Sequence, residues 1–109
     1  MKTTILATIA ACALGLGAAS GIARDYDAGK QKAETCKACH GEAGNQPITP
    51  DTPRLAGQHY DYLVHSLEAY KKGARNSPLM SPMAQPLSEA DIRDVAWYFS
   101  RQKGLETKY

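Results

Sequence analysis

The stretch TCKACHG, residues 35–41, sets Cys36 and Cys39 three positions apart and puts His40 directly after the second thiol. A two-residue spacer places both thiols on one helical turn, so whatever they bind must meet them along one edge. Thiol–disulfide exchange uses a Cys-x-x-Cys pair that opens a helix on a βαβ unit, where the dipole lowers a thiol pKa; here the pair closes a helical stretch and no strand precedes it. A tetrahedral zinc site needs a fourth ligand beyond Cys36, Cys39 and His40, and three ligands packed into five residues make awkward geometry. A plain disulfide leaves the adjoining histidine without a purpose. Covalent attachment of c-type haem uses all three groups: each thiol adds to a vinyl group on one porphyrin edge, and the histidine lies under the ring with Nε2 free to bind iron.

The N-terminus agrees with that chemistry. MKTTILATIAACALGLGAASGIA has a positive Lys2, an apolar run from Ile5 to Leu16 and a small-residue zone from Ala18 to Ala23, the pattern of a secretory signal. Residues 1–23 are therefore expected to be a signal peptide and residues 24–109 a single exported domain, located in the periplasm. The apolar run is short for a membrane span, so no stable membrane insertion of the mature chain is expected. Two lesser readings are an uncleaved signal acting as a tether and lipidation at Cys12. Of 13 Lys and Arg only Lys2 precedes Arg24, against 11 Asp and Glu, so the mature domain is nearly neutral and nothing in it suggests nucleic acid.

Outward from the cysteines, YDAGKQKAETCKAC reads as one short helix with the thiols in its last turn, and Gly29 gives it a face able to approach another backbone closely. Residues 40–57 carry Gly41, Gly44, Pro47, Pro50, Pro53 and Gly57, a density of punctuation that excludes a long element. Tyr60, Leu63, Val64 and Leu67 then fall on one face of a second helix. Pro78, Pro82 and Pro86 predict an extended segment around Met80 and Met83. Ser88 and Asp91 form a candidate capping box for a last helix with Ile92, Val95, Ala96 and Phe99 on its apolar face and Gly104 at its end. Three helices and two long loops supply too few large aliphatic side chains for a core, and loops this long are uncommon unless they have a function. A porphyrin slab fills that gap. For the second axial position of its iron, composition leaves Met80 and Met83 equal, with His59 and His65 behind them.

CKACHGEAGN, PRLAGQHYDYLVHSLEAYKKG and MSPMAQPLSEADIRDVAWYFS, in this order, resemble segments of small bacterial class I cytochromes c, most nearly a single-haem unit of the cytochrome c4 or c553 type. The likeness covers nearly the whole mature domain. It implies an all-α class I cytochrome c fold wrapped around one covalent haem c per chain, with Cys36 and Cys39 as the thioether cysteines. It further implies axial ligation by His40 and Met80, with Met83 as the alternative, and a Pro53 carbonyl that accepts the Nδ1 proton of His40. Gly29 and Tyr98 match the crossing of the first and last helices. Tyr60 and Trp97 read as core aromatics, or as haem-edge ones. Cytochromes c4 carry two such domains in one chain; here one is seen, so transfer between two haems is not expected.

The expected function is electron transport by a monomeric periplasmic carrier cycling Fe(III)/Fe(II), with no substrate chemistry of its own. Redox partners would meet the exposed haem edge, with Lys71, Lys72 and Arg75 as candidate docking cations. The rival readings are a fixed haem c relay subunit of a larger oxidase or dehydrogenase, and a haem peroxidase or ligand-binding protein.

Overall fold

The computed structural model describes Gly15 and residues 23–104. The signal-peptide reading of residues 1–23, Cys12 included, falls outside the described residues apart from Gly15 and Ala23, as do residues 105–109. Among the described residues every regular element is helical: α1 (Tyr26–Lys32), a 3₁₀ turn (Ala33–Thr35), α2 (Lys37–His40), a second 3₁₀ turn (Glu42–Gly44), α3 (Tyr60–Lys72), α4 (Met80–Ala84) and α5 (Glu89–Ser100). The architecture is all-α, with α1, α3 and α5 as its three longest helices.

Asp25 starts α1 by accepting the Ala28 N–H at 2.9 Å, which satisfies one of the donors a helix start leaves open. The expected continuous helix to Cys39 does not form. Thr35 Oγ1 donates back to the Lys32 carbonyl at 3.2 Å and Cys36 N–H to that of Ala33 at 3.0 Å, tightening the chain into a 3₁₀ turn. Short side chains that bond nearby backbone compete with helix continuation in this way. The cysteines consequently belong to α2 and its cap, aimed independently of α1.

The extended segment expected at residues 78–86 is likewise replaced, by α4. Pro82 is its third residue, where a helix has no intrahelical acceptor for an N–H, so the missing donor does no harm. Helix α5 has the full capping box, Ser88 Oγ accepting from Asp91 N–H and Asp91 Oδ2 from Ser88 N–H, each at 3.0 Å. It ends at Ser100 and is not stopped by Gly104. That glycine instead lies against residue 56, where a Cβ at position 104 would come within 2.5 Å of the Ala56 Cβ.

Helices α1 and α5 cross at Gly29. A Cβ there would sit 2.0 Å from the Asp94 carbonyl oxygen and 3.1 Å from the Tyr98 Cβ, and Tyr26 packs on the Tyr98 ring with centroids 5.4 Å apart. The buried Asp94 carboxylate ties the crossing together, accepting the Asp25 N–H at 2.9 Å and the Lys32 ammonium at 3.0 Å. Lys32 also pairs with Asp91 at 2.5 Å. Helix α3 lays Leu63, Val64 and Leu67 against Val95, Ala96 and Phe99 of α5. Tyr60 and Trp97 pack edge to face at 6.0 Å beneath the Arg24 guanidinium. Neither lines the central cleft, so the haem-edge reading of these two aromatics is set aside.

Two outcomes follow from the crossing. Gly29→Ala forces the helices apart and lowers stability by roughly 2 kcal/mol, the usual effect of overpacking, read from denaturant unfolding. The hydrogen bond from Lys32 holds the Asp91 carboxyl below its ordinary 3.8, while Asp91 and Asp94 raise the Lys32 ammonium above 10.5. A depressed acid stabilises above its unfolded pKa and loses that contribution as pH falls through the folded value; a raised base loses its contribution as pH rises through the folded value. Stability should therefore fall below pH 3.8 and above pH 10.5, and Lys32→Met should flatten both limbs in pH-dependent unfolding.

Candidate functional site

The turn after α2 sets the position of His40. Gly41 has φ 83° and ψ 178°, a region that only glycine occupies readily, and a Cβ there would lie 2.1 Å from the Gln46 carbonyl oxygen. The chain thus reverses immediately after His40, and Ile48 N–H bonds back to the Cys39 carbonyl at 3.0 Å. His40 is 5% exposed, and its Nδ1 lies 2.7 Å from the carbonyl oxygen of Pro53. A carbonyl can only accept, so Nδ1 carries a proton, and in the neutral ring the lone pair is then on Nε2. The Pro53 loop is itself anchored, through Leu55 N–H to the Gly44 carbonyl and Gly57 N–H to that of Phe99, both at 2.9 Å.

The two thiols, His40 and Pro53 line a cleft of about 610 Å³. Helix α3 contributes Leu63 and Leu67 to it, α5 contributes Val95, Ala96 and Phe99, and α4 contributes Met80 and Met83. Cys36 is half-buried and Cys39 exposed, and both are free thiols. Burial pushes the Cys36 thiol up, against a smaller opposing effect of the hydrogen bond with Thr35. That is the reverse of what a redox-active pair needs. Among the described residues no three His, Cys, Asp or Glu side chains are grouped to hold a metal ion. The donor set is instead two thiols on one short helix, an imidazole with Nε2 free, and thioethers, around an apolar space. These residues fit a haem held at one edge.

His59 and His65 are exposed and do not line the cleft; Met80 is half-buried in it, whereas Met83 is 43% exposed. The three docking candidates differ in their surroundings. Lys71 donates to the Leu87 carbonyl, Lys72 is exposed, and the Arg75 guanidinium lies 4.7 Å from the Tyr70 ring centroid at the cleft margin. The sequence reading missed the exposed apolar residues around the cleft, Ile48, Tyr62 and Leu79. Tyr62 could have been noticed as a large aromatic off the apolar face of α3; Ile48 and Leu79 stand in loops, where no periodicity marks them.

A model of the cytochrome c family matches residues 26–103. The chain is 49% identical over 84 residues to cytochrome c-554(548) of Halomonas halodenitrificans, an alignment covering 74% of this chain and all of that protein. It is 41% identical over 100 residues to cytochrome c4 of Stutzerimonas stutzeri, covering 84% of this chain and 47% of that one. The crystal structure of reduced recombinant cytochrome c4 from Pseudomonas stutzeri superposes with a TM-score of 0.70 at 41% identity, over 76% of this chain and 48% of the other. The chain thus spans about half of cytochrome c4. Cytochrome c4-like domains bind one covalent haem c each and are electron carriers, not enzymes. The chain belongs to the cytochrome c family, as a small bacterial class I electron-transfer cytochrome homologous to the single-haem domains of cytochromes c4, c-552 and c-554.

Proposed function

We propose that residues 24–109 act as a diffusible periplasmic monohaem carrier, with Cys36 and Cys39 as thioether attachment points and His40 and Met80 as axial ligands. The observation that carries this reading is one apolar cleft that gathers both thiols, Met80, and an imidazole whose Nδ1 is already engaged by Pro53. The bound haem supplies a one-electron Fe(III)/Fe(II) couple. Pro53 holds the His40 ring in one tautomer and orientation and makes Nε2 a better donor. Leu63, Leu67, Val95 and Phe99 keep water from the site. The Met80 thioether, a soft and weakly donating ligand, favours the reduced state relative to a second histidine. Residues 1–23 serve as the export signal, in keeping with homology to periplasmic cytochromes c4.

Partners are redox proteins meeting the cleft margin, where exposed Ile48, Tyr62, Leu79 and Met83 stand beside the cations of Arg54 and Arg75. A small apolar patch with a charged border suits a brief encounter. Lys72, exposed on α3, adds to steering at low salt. No helix among the described residues is long and apolar enough to cross a membrane. A second reading, a fixed relay within a larger assembly, draws on the homologous domain in cytochrome c4 being about half of a longer chain.

Ligation is tested in the ferric holoprotein. The far-red sulfur-to-iron charge-transfer band should disappear in Met80→Ala and persist in Met83→Ala; the opposite pattern would transfer the assignment to Met83. Carrier and relay separate in one experiment, periplasmic fractionation followed by size exclusion read at the haem absorbance. Haem should elute at the mass of one small domain, whereas elution only with a large complex would favour the relay.

A further inference from the structure

Helix α4 has five residues, too few to hold a helical shape alone in water, and it carries Met80. Side-chain hydrogen bonds secure it at both ends. At the entry, Ser77 Oγ accepts from the N–H groups of Leu79 at 3.3 Å and Met80 at 3.1 Å, while Ser81 Oγ accepts the Ser77 N–H at 3.1 Å. The two serines thus tie the approach to α4 to its first turn, and Pro78 between them fixes one φ of that approach.

At the exit the fastening runs across the fold. The Gln85 side-chain amide donates to the Lys71 carbonyl at 2.7 Å, and the Lys71 ammonium donates to the Leu87 carbonyl. The Lys71 carbonyl belongs to the last turn of α3, where carbonyls lack intrahelical partners. Leu87 immediately precedes Ser88, the cap of α5. The two bonds run in opposite directions between the same two stretches, so they resist both sliding and separation.

We infer that Lys71 and Gln85 are positioning residues: their reciprocal clasp fixes α4, and Met80 with it, against the end of α3. The charge of Lys71 is thereby committed within the domain and not to a docking partner. This inference rests on the reading of Met80 as an axial ligand. Without the clasp α4 detaches more often, and Met80 leaves its place more often.

The test uses ferric holoprotein carrying Lys71→Met, Gln85→Ala or both, with Lys30→Met, an exposed lysine on α1, as the charge control. Added imidazole must wait for Met80 to move, so its association rate reports the opening of α4. The single variants should bind imidazole about fivefold faster or more, the factor that corresponds to losing one hydrogen bond. The double variant should bind at least as fast as either, and Lys30→Met at the parent rate. Amide hydrogen exchange should rise over residues 77–87 and stay unchanged in α1 and α5. Parent-like imidazole rates together with parent-like exchange over 77–87 would overturn the inference, and so would exchange that rises equally in every helix. Met80→Ala is measured in parallel. If the parent binds imidazole as fast as Met80→Ala does, the ligand reading fails, and local exchange over 77–87 still decides the clasp.

Discussion

The hydrogen bond between His40 Nδ1 and the Pro53 carbonyl, 2.7 Å long, joins the two halves of a site that the rest of the chain is arranged to enclose. It fixes the histidine tautomer, and it closes the loop that runs from the cysteines to α3. The residues that support it are small. Ala33, Ala56, Ala69, Ala84 and Ala96 are buried, and among the described residues Ile92 is the largest side chain that is fully so. Small residues let helices and loops approach closely, but they contribute little apolar area each. Close-packed interiors leave few voids, which is why the apolar cleft is the place proposed for the haem that this family carries. Core and cleft share one wall: Leu63, Val95, Ala96 and Phe99 belong to both.

Much of this was legible in the sequence because it depends on local chemistry. The Cys36, Cys39 and His40 cluster needs only spacing, and α3 and α5 each repeat their apolar faces over three turns, enough for a period to be recognised. Ser88 and Asp91 announce the start of α5 within four positions. What escaped depends on shorter or longer ranges. The break between α1 and α2 comes from one hydroxyl of Thr35 turning back to Lys32, which no apolar pattern records. Helix α4 is shorter than two turns and contains a proline, so its composition suggested extended chain. Gly104 looked like a helix terminator, yet it is small because Ala56 lies against it. Lys71 looked like a surface charge, since its acceptor at Leu87 lies 16 positions away.

The domain is fastened unequally. On the histidine side, α2 is followed by a glycine turn and a loop pinned by backbone hydrogen bonds, and the α1 and α5 crossing beneath it is locked by a buried carboxylate and close packing. On the methionine side, α4 buries only Ala84 and is otherwise held by two serines, a glutamine amide and a lysine ammonium. Individual hydrogen bonds contribute only about 1 kcal/mol net, so the second arrangement opens more readily than the first. Local opening tracks the weakest set of contacts in a structure. If Met80 is the ligand and the cleft margin the docking face, as proposed, a carrier gains from this order: the histidine stays aligned while any excursion is confined to the segment that bears the thioether, and exposed Leu79 and Met83 stand on that same segment. On that same proposal, a partner contacting Leu79 and Met83 would press on α4 directly, and so on the segment whose hydrogen bonds hold Met80 in place.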